Sequence, residues 1–212
     1  MLSIKRNTSS LLKILLILGF GYFFWLMLKI TLEYIPLKAD TSFLMIKQTE
    51  VTERPEYLYF FYTHVYTSIF VLLSGFLAIL RKNLGIKNFH RNAGKIYIFL
   101  ILMLAAPSGI YMGIFANGGL SSRISFVFLG GLWWFSTFKA YRLARQKKFK
   151  AHKQWMWRSF AFTVSAITLR LWKVIIVSMF HPDPMDVYQV IAWLGWIPNI
   201  LLVEYLIAKK HL

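Results

Sequence analysis

The sequence predicts an all-α integral membrane bundle of six transmembrane helices with both termini in the cytoplasm, and three observations carry that expectation. Apolar residues make up 58% of the 212, and they fall in blocks of about twenty, the length at which a helix crosses roughly 30 Å of hydrocarbon. The 25 Lys and Arg against 8 acids give a net charge of +17, and most of these cations sit in short segments between the apolar blocks. There they read as orientation signals rather than as a nucleic-acid surface, so no nucleic-acid partner is expected. Polar residues also recur inside the blocks at helical spacing, which points to a bundle with a polar interior. The absence of cysteine excludes disulfides, thiolate catalysis and Cys-ligated clusters.

The elements follow in order. Residues 1–10 form a short basic start, and Leu11–Leu32 is the first apolar run. It is too long for the apolar core of a signal peptide, so it reads as a retained helix. Residues 33–56 form a polar loop holding Glu33, Asp40, Glu50, Glu53 and Glu56, five of the eight acids, and belong outside the cell. Tyr57–Leu80 is the second span, with His64, Ser68, Val71 and Gly75 on a small and polar stripe suited to facing other helices. The connection RKNLGIKNFHRNAGK (81–95) carries five cations and no acid, so it is cytoplasmic. Ile96–Ala116 is the third span. Its Pro107 removes an amide donor and is expected to leave the Met103 carbonyl without its intrahelical partner. Gly109-x-x-x-Gly113 follows one turn on and permits close backbone approach. The fourth span is Ile124–Leu143, and the basic stretch after it returns the chain to the cytoplasm. The fifth runs to HPDPMD (181–186), where two prolines break it, and the sixth is Val190–Ala208. No internal repeat is visible.

Residues 151–180 are the most informative stretch. His152, Ser159, Thr163 and Arg170 are separated by offsets of seven, eleven and eighteen residues, so at 3.6 residues per turn all four share roughly one face. Arg170 lies more than two turns from either end of the apolar run. A charge at that depth costs at least a few kcal/mol in lipid, so it must face a protein interior or a wet cavity.

Three stretches together, AAPSGIYMGIFANGGL (105–120), AHKQWMWRSFAFTVSAITLRLW (151–172) and AWLGWIPNILLVEYLI (192–207), resemble the bacterial membrane protein family called domain of unknown function 2306. The resemblance covers about residues 57–208, a five-helix membrane domain, and leaves 1–56 as a first transmembrane helix plus an extracytoplasmic loop. It implies a multi-pass protein of the bacterial cytoplasmic membrane. It supplies no catalytic residue.

The polar residues support three classes of function. His90 and His152 each begin a span, so two imidazoles at one depth can hold a haem b between them, with His64 as a third candidate. The alternative for the first two is binding lipid phosphates or capping helix starts. For His64 the alternative is a bond to a neighbouring helix carbonyl. Arg170, supported by Lys173, Asn199 and Ser108, suits a small anionic or amphipathic ligand, including a carboxylate or a quinone-like headgroup. Its alternative is structural, with Arg170 meeting Asn199 and the carbonyls freed by Pro107 and Pro198. Glu204 is placed to pair with Arg158 as structural polar residues. The third class is an accessory membrane protein whose polar groups only hold the bundle together. No phosphate-binding loop, dinucleotide fingerprint, nucleophile elbow or metal-ligand cluster is present.

Overall fold

Every regular element among the described residues, 2–80 and 88–210 of this computed structural model, is helical. Helix α1 (Leu2–Leu32) leads into a strap, residues 33–55, that contains a 3-10 turn (Ser42–Lys47) and α2 (Gln48–Glu53). Helix α3 (Glu56–Leu80) follows. Helix α4 (Phe89–Leu100) passes through a π-helical turn (Ile101–Ala105) into α5 (Ala106–Ile114). Then come α6 (Gly119–Arg145), α7 (Phe149–Phe180), α8 (Pro184–Leu194) and α9 (Ile197–Ala208). Part of the basic connection read at 81–95, residues 81–87, lies outside the described residues.

Among the described residues, five stretches are long and apolar enough to cross a membrane: Ile14–Leu32, Glu56–Leu80, Phe89–Ile114, Phe149–Phe180 and Met185–Ala208. Helix α6, expected as the fourth span, has 27 residues, about 40 Å at 1.5 Å per residue, but it is less apolar than these five. The reason is its inward face. Ser122, Ser125, Ser136 and Thr137 are all buried, and α6 packs most extensively against α7 and α5.

Two further elements depart from the sequence expectation. The sixth span is broken at Gly195–Trp196, because Pro198 has no N–H to return to the carbonyl four residues back. The carbonyl lost to Pro198 is that of Leu194, and the next one along is taken by side chains: Thr168 Oγ1 donates to the Gly195 carbonyl at 2.5 Å, and Asn199 Nδ2 lies 3.2 Å from the same oxygen. The strap, expected as a polar loop, is folded onto the bundle. Its Leu44 is fully buried and clusters with Tyr34, Tyr57 and Phe61, with Phe43 packed against them, so these two apolar side chains hold the strap on the bundle.

Helices α4, α6 and α7 are joined by a buried hydroxyl cluster. Tyr97 Oη lies 2.8 Å from both Ser159 Oγ and Thr163 Oγ1. Thr137 Oγ1 is 2.7 Å from Ser159 Oγ, and Trp133 Nε1 donates to Thr163 Oγ1 at 3.0 Å. Gly75 makes room for the Tyr97 ring, since a Cβ there would stand 2.7 Å from Cε2. The continuity of α7 from Phe149 to Phe180 puts His152, Ser159, Thr163 and Arg170 on one helix.

Tyr97→Phe keeps the ring and removes the shared oxygen, leaving two buried hydroxyls short of a partner. The expected cost is about 1 kcal/mol, read as a lower midpoint of thermal unfolding in detergent.

Candidate functional site

The spacing of polar residues on α3 and α7 builds the site. His64 and Ser68 lie one turn apart on α3, Arg170 and Lys173 nearly one turn apart on α7, and all four line a cavity of about 600 Å³. Along α7 the cavity wall runs from Phe162 to Lys173, about 16 Å at 1.5 Å per residue. Arg170 and Lys173 stand at the strap end. Leu72, Trp133 and Phe162 close the far end, and Met27 and Ile30 of α1 form part of the side wall. The cavity is thus charged at one end and apolar at the other.

The strap forms the cover. Ser42, Phe43, Ile46 and Lys47 all reach the cavity. Lys47 is only 1% exposed; its ammonium donates to Glu50 Oε1 at 2.6 Å and to the Phe115 carbonyl. Tyr66 Oη donates to the Tyr34 carbonyl at 2.8 Å, and the Phe43 amide donates to Tyr34 Oη at 3.3 Å. Burial pushes the Tyr34 phenol above its ordinary pKa, against the opposing pull of the Phe43 amide and the Arg170 guanidinium.

Charge balance separates the three cations of the cavity. Glu50 neutralises Lys47. Among the described residues, no carboxylate lies within ion-pair distance of Arg170 or Lys173. Arg170 Nη1 donates to the Ala166 carbonyl of its own helix at 2.7 Å, which uses one of five guanidinium donors. Arg170 remains accessible although it lies deep along α7, because it lines the cavity. Lys173 Nζ sits 5.7 Å from the centroid of the Tyr188 ring.

The other candidates are placed elsewhere. His90 Nδ1 lies 3.0 Å from the Ala78 carbonyl, and His152 Nδ1 lies 2.9 Å from the Ala140 carbonyl. Each ring therefore staples the start of one helix to the end of the preceding one, twelve residues back in both cases. This repeated device was invisible as a sequence repeat. Ser108 is buried away from the cavity and donates to the Leu104 carbonyl at 2.5 Å. Asn199 binds Ala161 O and Thr168 Oγ1, at 3.2 and 2.9 Å, and so ties α9 to α7. Arg158 grips Glu204 with two bonds, Nε to Oε1 at 2.5 Å and Nη2 to Oε2 at 2.8 Å.

Pro107 acts one residue earlier than its α-helical register implies. In the π-helical turn, the Ala106 amide donates five residues back to Ile101, so the donor missing at Pro107 falls on Leu102 rather than Met103. The Trp134 indole supplies that bond at 3.1 Å. His64 Nδ1 takes the Ala105 carbonyl at 2.8 Å.

Tyr34, Lys47, Tyr188 and Trp133 line the site without having been singled out for it from the sequence. The apolar run Phe43–Ile46 inside an acidic loop was the available signal for the strap.

No curated protein and no solved structure matches the chain. A family profile described as "Predicted membrane protein (DUF2306)" matches residues 61–207. The match takes in His64, Ser68, Arg170 and Lys173, and leaves α1 and the strap outside it. Since it spans well over half of the sequence, the chain belongs to this family of predicted membrane proteins.

Proposed function

We propose that this protein spans a bacterial cytoplasmic membrane six times, with both termini inside, and binds a small amphipathic anion whose charged head rests on Arg170 and Lys173. The observation that carries the reading is a pair of cations without a carboxylate partner at one end of a cavity whose other end is apolar. A guanidinium at membrane depth needs a counter-charge or enclosed water, and its fork matches a carboxylate or phosphate oxygen pair. A cavity of about 600 Å³ falls in the size range of small-ligand sites. Met27, Leu72 and Phe162 accommodate an apolar tail. The described residues lining the cavity are mainly basic, hydroxyl-bearing or apolar, and the function assigned to it is binding.

In the six-span arrangement α6 crosses the membrane with its serines turned inward. The lack of cysteine makes this directly measurable. Single cysteines introduced at Ser42, Asn117 and Pro182 are expected to react with an impermeant maleimide in intact cells. A cysteine at Gln146 is expected to react only after permeabilisation, and labelling of Gln146 from outside rules out the topology.

The binding site is tested with dodecanoate as the probe and detergent-purified full-length protein. Arg170→Leu is expected to raise the dissociation constant by roughly ten- to a hundredfold, the equivalent of losing one charge-assisted hydrogen bond. Its thermal midpoint should not fall, because the variant also removes a charge without a carboxylate partner from membrane depth. A purely structural Arg170 gives the opposite pair of results, a lower midpoint and no dodecanoate binding in the parent protein.

A second reading, a b-type haem held by His90 and His152, draws on the orientation of the two rings. Each donates through Nδ1 to a carbonyl, which leaves Nε2 as the free ligating nitrogen. Protein produced with haem supplied should then show a Soret band that His90→Ala abolishes. A featureless spectrum retires this reading.

A further inference from the structure

His64 has its tautomer set by its neighbour. Nδ1 lies 2.8 Å from the Ala105 carbonyl, and a carbonyl only accepts, so Nδ1 carries the proton and Nε2 of the neutral ring is an acceptor. Gly109 holds the ring in place. A Cβ at that position would stand 2.8 Å from Cε1 and 2.9 Å from Nδ1, so the Nδ1–Cε1 edge of the ring rests against a backbone that only glycine leaves open. Among the described residues Nε2 has no hydrogen-bond partner.

Ser68 supplies the complementary group. It lines the same cavity one turn further along α3, and its hydroxyl oxygen is buried without a partner. A helical serine commonly returns its proton to the carbonyl four residues back. Here that carbonyl belongs to His64 and is approached by Thr67 Oγ1 at 3.4 Å. Side chains four apart on a helix have Cβ atoms about 5–6 Å apart, close enough for one oxygen to meet both.

One fixed acceptor and one unpartnered hydroxyl on two residues that line the same cavity are complementary to a hydroxyl group, the buried Ser68 Oγ reaching it by rotation about χ1. Building on the Arg170 reading above, we propose that His64 and Ser68 form a hydroxyl-binding subsite, so that the ligand is an amphipathic acid bearing a hydroxyl near its head. The hydroxyl donates to His64 Nε2 and accepts from Ser68 Oγ. A quinone carbonyl accepts from Ser68 but has no proton for His64, and a plain fatty acid satisfies neither group. The hydroxyl belongs near the head because the two loci lie at similar depth. His64 is about 12 Å along α3 from Glu56, and Arg170 is about 15 Å along α7 from Phe180.

The experiment compares dodecanoate with β-hydroxydodecanoate on full-length protein in detergent. The hydroxy acid is expected to bind about tenfold more tightly, the effect of one well-formed hydrogen-bonded hydroxyl. Ser68→Ala, the smallest change available, should bring the ratio of the two dissociation constants close to one, and His64→Phe should do the same. The ratio is the readout because a general loss of packing weakens both acids alike. Equal affinities in the parent protein, with the Arg170 dependence of dodecanoate intact, overturn the subsite alone and show that water satisfies the pair. A preference that survives both substitutions overturns the assignment to His64 and Ser68. Failure of both acids to bind overturns the Arg170 reading, and this one with it.

Discussion

A guanidinium well inside a membrane-spanning helix must be solvated by protein or by water that the protein encloses, and the arrangement around Arg170 follows from that constraint. The cavity is the solution adopted here. Its polar lining comes chiefly from α3 and α7, through His64, Ser68, Thr163 and Ser165, whereas α6 contributes the apolar Phe126, Leu129 and Trp133. The cavity also needs a cover at the charged end, which the strap provides by burying Leu44 and anchoring Lys47. The cost of one charge is thereby spread over an element outside the family match and several helices within it.

The same rule governs the backbone. In lipid an unpaired carbonyl has no water to turn to, so each helix break must be answered by a side chain. Pro107 and Pro198 create two such breaks. Trp134 answers the first at the Leu102 carbonyl, with Ser108 and His64 bonded to the nearby Leu104 and Ala105 carbonyls, and Asn199 with Thr168 hold the Gly195 carbonyl beside the second. Polar side chains that look like ligand donors in a sequence are consumed in this way. Ser108 and Asn199 are the clearest instances, while His64 spends one nitrogen on the backbone and keeps the other.

Small residues set how closely the helices approach. Gly75 receives the Tyr97 ring, Gly109 the His64 ring and Gly130 the Ile110 side chain, and at Gly113 a Cβ would meet the backbone of α6 at 3.2 Å. Without appreciable hydrophobic drive between helices in lipid, such contacts and the hydroxyl cluster around Tyr97 carry much of the association. The positions of Tyr97 and His64 therefore depend on glycines that make no polar contact themselves.

The sequence by itself determined the all-helical class, the C-terminal end of α1 and both ends of α3 to within a residue, and the shared helix of His152, Ser159, Thr163 and Arg170, while α1 begins at Leu2, nine residues before the expected Leu11. These are local properties, set by apolar block length and by 3.6-residue periodicity. The Gly109-x-x-x-Gly113 pair likewise announced a close approach before any neighbour was known. Only the tertiary structure decided which polar residues meet. That outcome depends on the rotation and depth of each helix against its neighbours, which no periodicity within a single helix encodes. Helix packing set His64 and Ser68 in one cavity with Arg170 and drew Asn199 out of it. The one-residue shift of the π-helical turn moved the consequence of Pro107 from Met103 to Leu102. The strap was hidden for a related reason: its acids are local and conspicuous, whereas the burial of Leu44 and Lys47 exists only once Phe61 and Phe115 have been brought beneath them.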